Sequence, residues 1–155
     1  MYKEPMDKWI TTLVPEEVYR KNLETAAAIY KDYSTVIDRA GLGSRNKKKL
    51  KQVIDEYTTV KWMYACREEW LLLVLAAVTS FFVKAFKTQI RYSPSAFKEH
   101  ITYEYLCRHM DCVDLLRPAE KREILEEAGF DLEKEAYSGG PVINYMDIIR
   151  RYRAA

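Results

Sequence analysis

Apolar side chains recur at helical spacing along most of the chain, and glycine and proline fall between the stretches that show it. Pro15 opens the first stretch and is followed by two acidic residues, which the helix macrodipole favours at this end. Gly41 and Gly43 end it, and Ser44 is a plausible N-cap for the next helix. Almost no segment alternates apolar and polar residues as a strand would. We therefore predict an all-α fold, a helical bundle of five to seven helices.

One stretch is too long to be a single straight helix in a compact domain. Between Ser44 and Arg91 the sequence contains no Gly and no Pro. A helix of that length would run to about 70 Å, whereas a compact domain of this size has a radius of gyration of about 15 Å. We expect a break or strong bend at Thr58-Thr59 or near Cys66, which makes this region a long central helix or a helix pair. The alternative is an elongated protein.

The second half of the chain predicts shorter helices. One begins at Pro94, a second runs from Pro118 to Gly129, and Asp131 can cap a short third one. The last segment, residues 142–153, places apolar side chains on or near one helical face. These are Val142, Ile143, Met146, Ile149 and Tyr152.

Trp70 to Val83 is the one long apolar run (WLLLVLAAVTSFFV). It falls short of the roughly 20 residues that cross a bilayer, so we expect a central buried helix and no membrane span. Residues 1–13 carry mixed charges and no apolar signal-peptide core. With three cysteines, too few and odd in number for a disulfide scaffold, the protein is expected inside a cell or in a virion.

The length of 155 residues suits a single all-α domain. Within it, residues 1–43 would form an N-terminal helical segment, or an extended arm, and residues 44–155 the helical core. The small net charge of +2 predicts no partner by itself.

That net charge is the sum of segments of opposite sign. Residues 1–38 carry 5 basic and 7 acidic side chains, and residues 39–91 carry 11 and 4. Residues 92–149 carry 6 and 12, and three arginines follow in residues 150–153. Solvated helix faces would explain this segregation, and so would one surface for a polyanion and another for a neighbouring subunit.

The basic stretch contains the segment Gly41–Lys51 (GLGSRNKKKLK), which places four cations at the start of a predicted helix. The macrodipole disfavours cations there, and an anion bound at the same point would resolve the conflict. The two glycines leave room for a phosphate to approach. Cations further along the chain could extend the footprint. The candidate phosphate-binding residues are Arg45, Lys47, Lys48, Lys49, Lys51, Lys84, Lys87 and Arg91.

Lys98 could lengthen this surface, and three aromatic residues are available for stacking or sugar contacts: Tyr57, Trp62 and Tyr92. No recognition-helix or finger motif offers base readout. We expect a sequence-independent contact with a nucleic-acid backbone, most simply DNA. A solvated basic turn of an ordinary surface is the alternative interpretation.

Potential metal ligands lie along the Pro94 helix, where His100, Glu104, Cys107 and Asp111 share one stripe and His109 and Cys112 stand nearby. Four ligands spread along one helix cannot converge on a zinc ion. No P-loop motif and no nucleophile signature occur either. We therefore expect no metal, no cofactor and no enzymatic activity.

Aromatic residues are concentrated in the terminal segments, where they suit contacts between subunits. They are Tyr2, Trp9, Tyr137, Tyr145 and Tyr152. With the small size, the helical content and the basic Gly-flanked segment, they make the chain resemble the coat proteins of filamentous archaeal viruses. The resemblance is one of architecture and carries no motif. It implies a self-assembling subunit, paired with itself or a close paralogue, that wraps DNA in a virion or other nucleoprotein filament.

An accessory or adaptor subunit of a larger ribonucleoprotein complex is the alternative function. The small helical subunits of CRISPR effector complexes are of similar size and charge. In that case the acidic region Glu120–Glu135 would dock a basic partner.

Overall fold

The computed structural model describes residues 15–59, 66–92, 103–134 and 145–154, and these residues form six α-helices and no strand. The predicted all-α class is thus confirmed. The helices are α1 Glu16–Arg39, α2 Arg45–Glu56, α3 Arg67–Tyr92, α4 Tyr103–Asp111, α5 Pro118–Glu127 and α6 Tyr145–Arg153.

The predicted break in the glycine-free stretch is present, and a single elongated helix is not. Helix α2 ends at Glu56, a turn follows through Thr59, and α3 begins at Arg67. The indole Nε1 of Trp70 donates a hydrogen bond to the carbonyl oxygen of Tyr57 at 2.9 Å. This bond joins the end of α2 to the first turn of α3, and the two helices pack against each other.

Helix α3 is the centre of the bundle and packs against α1, α2, α5 and α6. One face of it is buried, as predicted, with Trp70, Val74 and Phe82 wholly inaccessible to solvent. The opposite face is open, because Leu72 and Leu73 are 46% and 45% exposed. The sequence predicted a buried helix, whereas the structure shows a helix with one buried face and one solvent-exposed face.

By length and composition α3 could also cross a membrane, with a mean hydropathy of 1.8 in its most apolar window. Half of that window is buried in the protein. Core helices of soluble proteins have the same character, so the absence of a membrane span stays a prediction.

The apolar stripes of α1 and α2 complete this side of the core. Ile29, Tyr33 and Ile37 of α1 are almost fully buried, and so are Leu50 and Ile54 of α2. The apolar stripes of α1 and α2 therefore face the core.

The turn between α1 and α2 uses glycine as expected, since Gly41 and Gly43 adopt φ of 68° and 81°. Ser44 stands at the N-cap position of α2, but its side chain makes no capping hydrogen bond. In the second half of the chain, Pro118 opens α5, and Gly129, with φ of 88°, follows its end.

The remaining helix predictions are partly confirmed, partly wrong and partly outside the described residues. The part of the chain that opens at Pro94, and Tyr137 with the glycines after it, lie outside the described residues. Residues 131–134 form a turn instead of the start of a helix, and in it the Asp131 carboxylate accepts the Glu133 amide hydrogen at 3.1 Å. In α6, Ile149 and Tyr152 are buried as predicted, whereas Met146 is 48% exposed.

Candidate nucleic-acid interface

A groove of about 1220 Å³ runs between the start of α2 and the exposed side of α3. The Gly41–Gly43 turn forms one end of it, and Tyr57 and Glu56 line the other. Ala77, Phe81 and other small or apolar side chains of α3 form its floor. It is partly open to solvent, so a ligand could enter it.

Three of the eight predicted phosphate-binding residues line this groove. Arg45 and Lys49 project from α2, and Lys84 projects from α3. All three residues are exposed, and none of them forms an ion pair with a residue that the structure describes. Glu56 is the single acid among the described lining residues. The groove therefore has a surplus of positive charge that the described part of the chain does not neutralise.

The local structure of α2 agrees with this charge surplus. Its first turn contains no acidic residue, and Ser44 leaves the backbone N–H groups of that turn without a side-chain cap. Arg45 and the lysines after it stand where the partial positive charge of the helix end already lies. This arrangement opposes helix formation and suits an anion.

Four of the other predicted residues are engaged in ion pairs within the chain. Lys47 contacts Asp38 of α1 at 2.8 Å, and Lys51 contacts Asp55 one turn further along α2 at 3.4 Å. Lys51 also lies over the ring of Tyr30, 5.6 Å from its centroid. The remaining predicted residue on α2, Lys48, is exposed but does not line the groove.

The last two predicted residues connect the basic and acidic parts of the sequence. Lys87 of α3 pairs with Glu123 of α5, and Arg91 of α3 pairs with Glu127 of α5 at 2.9 Å. Because α5 lies within the acidic segment, part of the charge segregation along the sequence is cancelled by packing. A sequence-based reading cannot find these pairs, since their partners are 36 residues apart.

Three of the candidate metal ligands that the structure describes contact other groups of the chain. Asp111 pairs with Lys121 at 2.8 Å, and Glu104 pairs with Arg108 at 2.7 Å. The Nδ1 atom of His109 lies 3.0 Å from the carbonyl oxygen of Ala40. His100 lies outside the described residues. Among the described residues, no three His, Cys, Asp or Glu side chains are grouped so that they could hold a metal ion.

A polar network between α1, α6 and the turn that joins α4 to α5 was not predicted from the sequence. Tyr33 donates to one oxygen of Asp114 at 2.5 Å, and Arg151 donates to the other at 2.8 Å. Arg151 also donates to the hydroxyl of Tyr152 at 2.6 Å, and that hydroxyl donates to Asp32 at 3.1 Å. Burial, followed by the neighbouring Tyr152 and Asp114, raises the pKa of Tyr33. Burial, followed by the charge of Asp32, also raises the pKa of Tyr152, against the lowering effect of Arg151.

Arg67 forms a second part of this network. Its guanidinium donates to the side chains of Asn22 and Thr25 on α1 and to the carbonyl oxygen of Tyr152 on α6. Burial, and secondarily the charge of Arg153, lowers the pKa of Arg67. Both parts of the network join α1 to α6 and are structural. Two buried atoms in it, Nε of Arg67 and Nδ2 of Asn22, have no hydrogen-bond partner among the described residues.

Trp62, Lys98 and the side chain of Tyr92 lie outside the described residues. Of the terminal aromatic residues, Tyr152 is the one whose side chain is described, and it is buried within its own chain, not available at an interface. No family model, no curated protein and no solved structure matches this chain.

Proposed function

We propose that this protein is a non-enzymatic structural subunit that self-assembles and holds the phosphate backbone of a nucleic acid, most simply DNA, in the α2–α3 groove. The observation that carries the proposal is the convergence of Arg45, Lys49 and Lys84 on one groove without ion-pair partners among the described residues. Cations that are ion-paired with carboxylates of the same chain stabilise the fold. Cations that line a groove without an ion pair are available to bind a ligand.

The chemistry of the groove matches a phosphodiester chain. Arginine presents a planar fork of donors that suits phosphate, and lysine supplies a point charge. The Gly41 and Gly43 turn and the uncapped start of α2 add backbone groups and a favourable dipole. The ring of Tyr57 at the far end offers a surface for stacking. None of these groups reads base edges, so binding would be independent of sequence.

The self-assembly part of the proposal draws on the resemblance to coat proteins of filamentous archaeal viruses and on the exposed apolar face of α3. Leu72 and Leu73 are nearly half exposed there. Large apolar side chains grouped on a surface are typical of contacts with other macromolecules. A coat or nucleoprotein subunit needs both such a contact and a backbone-binding groove.

The test compares two triple variants that remove the same charge. The groove variant is Arg45→Ala/Lys49→Ala/Lys84→Ala, and the control changes three residues that are ion-paired within the chain, Lys47→Ala/Lys87→Ala/Arg91→Ala. Binding to fluorescent double-stranded DNA, single-stranded DNA and RNA is measured by anisotropy from about 50 to about 200 mM salt, the range over which backbone contacts weaken most.

We expect the logarithm of the parent's affinity to fall linearly with the logarithm of salt concentration. The slope should flatten by about 3 in the groove variant, since each lost phosphate contact removes about one counterion. The control should keep most of the parent's slope. Equal losses in both variants would show a diffuse charge effect and sink the groove assignment. A parent that binds no nucleic acid at low salt would favour the accessory-subunit alternative.

A further inference from the structure

The exposed face of α3 carries opposite charges at its two ends. Five residues lie within an arc of about 80° on the helical projection, at about 100° per residue. In order they are Glu69, Leu73, Ala76, Ser80 and Lys84, and all five are exposed. The stripe is thus apolar or small in its middle, acidic at its first end and basic at its last. Neither charged end forms an ion pair with a residue that the structure describes.

The spacing of these residues is symmetric. The midpoint between Glu69 and Lys84 falls between Ala76 and Ala77, and the same midpoint relates Leu73 to Ser80. If two α3 helices cross antiparallel at this point, Glu69 of each copy faces Lys84 of the other. Leu73 then lies beside the small Ser80 of the partner copy. The alanines at the centre allow close approach, within the 8–10 Å range typical of packed helices.

We infer that the Glu69–Lys84 face of α3 is a two-fold interface at which two copies of this chain associate through an antiparallel α3–α3 contact. An interface between identical surfaces requires each residue to find its complement on the same patch, and this stripe meets that condition for charge and for size. The 45% exposure of Leu73 supplies apolar area that the contact would bury.

A membrane fits this face less well than a second copy does. Glu69 and Lys84 bracket about 22 Å of helix, which is shorter than the hydrocarbon core of about 30 Å. The other side of α3 is packed against four helices, so only one stripe could face lipid. A charged residue at each end suits a charge-paired interface.

The inference rests on the self-assembly part of the proposed function and supplies a surface for it. Ser80 and Lys84 also line the groove, so the interface and the nucleic-acid site overlap at Lys84. Its ammonium has three donors and can contact Glu69 of the second copy and a phosphate at the same time, whereas Arg45 and Lys49 stay outside the interface. A two-fold contact closes on itself, so the expected product is a dimer, which would be the building block of any larger assembly.

The experiment is a charge-reversal cycle on the full chain without nucleic acid, followed by sedimentation equilibrium over a range of protein concentrations. The variants are Glu69→Lys, Lys84→Glu and the two together. Each single reversal sets like charges against each other at both symmetric positions, and the double reversal restores opposite charges. We expect each single variant to weaken dimerisation about tenfold, and the double variant to recover most of the loss.

Two further variants complete the test. Leu73→Asp, at an exposed position, should give a monomer with an unchanged helical circular dichroism spectrum. Glu24→Lys makes the same charge change as Glu69→Lys on an exposed position of α1 and should leave the dimer intact. The double variant lacks Lys84, so it should dimerise and still bind DNA more weakly than the parent.

Three results would overturn the inference. A parent chain that is monomeric at about 100 μM would remove both this interface and the proposed self-assembly. If none of the charge variants changes the dimer dissociation constant, self-assembly uses another surface, and the proposed function still stands. Binding of the parent to phosphatidylcholine vesicles that Leu73→Asp abolishes would assign the face to lipid.

Discussion

The hydroxyl of Tyr33 on α1 donates a hydrogen bond of 2.5 Å to the carboxylate of Asp114, in the turn between α4 and α5. The two residues are 81 positions apart, and Tyr33 is almost fully buried. Arg151 of α6 holds the other oxygen of the same carboxylate. One half-buried carboxylate thus ties together three parts of the chain that are distant in sequence.

Replacing Tyr33 with phenylalanine should destabilise the protein by about 2 kcal/mol, because hydrogen bonds to charged groups contribute about 1.5–3 kcal/mol. The ring would still fill its place against Phe82, whose centroid lies 5.7 Å away, so no cavity forms. Urea denaturation followed by circular dichroism measures the change. Tyr30→Phe is the matched control, since no hydrogen bond of that half-buried hydroxyl to a described residue is present. An equal loss in the control would show that the Asp114 contact adds nothing.

The raised pKa of Tyr33 predicts a dependence of stability on alkaline pH. The folded protein keeps the phenol protonated where the unfolded chain, with a pKa of about 10, begins to release the proton. This contribution is complete below about pH 10 and declines as pH rises above it. Relative to Tyr33→Phe, the parent should lose up to about 1.4 kcal/mol of unfolding free energy for each pH unit in that range.

The measurement is a series of urea denaturation curves of both proteins from pH 8 to about 11.5, spanning the ordinary tyrosine pKa. The lysines titrate equally in both proteins, so they do not contribute to the difference between the two unfolding free energies. If the difference in unfolding free energy between the two proteins stays constant up to the highest pH, the fold does not hold the phenol of Tyr33 in its protonated form.

Arg67→Lys should cost about 2 kcal/mol of unfolding free energy even though the charge is kept. The guanidinium reaches acceptors on α1 and α6 together, and a lysine ammonium lacks the planar fork that does so. It would leave buried acceptors around Asn22 without their donor. Thermal unfolding of the variant beside Arg20→Lys, whose parent arginine forms an exposed pair with Glu16, gives the comparison. Matching melting temperatures for the two variants would contradict the prediction.

Local signals of the sequence were enough for the helix class and for several helix ends. The 3.6-residue spacing of Ile29, Tyr33 and Ile37 predicts a buried stripe, and positive φ at Gly41 ends the helix that carries it. The length of the glycine-free stretch required a break that no single residue marks. The structure ends α2 just before Thr58-Thr59, one of the two predicted positions, and the hydrogen bond from Trp70 to Tyr57 joins the two helices there.

The sequence shows the basic segment, but it does not show which of its cations pair within the chain and which line the groove. Eight cations looked equivalent there, and the structure separates Arg45, Lys49 and Lys84, which line a groove, from Lys87 and Arg91, which hold α5. Ion pairs between helices depend on which faces meet, and a one-dimensional charge pattern carries no such information. The same holds for α3, whose run of apolar residues predicts burial but not which side remains open.

The sequence by itself therefore determined what depends on neighbours within about one helical turn: helix formation, glycine-dependent ends and the apolar stripes. Only the tertiary structure decided what depends on residues far apart in the chain. It brought Tyr33 and Arg151 to the carboxylate of Asp114, and it left three cations and one apolar face of α3 unused by the fold. The physical reason is that long-range pairing is set by how the helices pack.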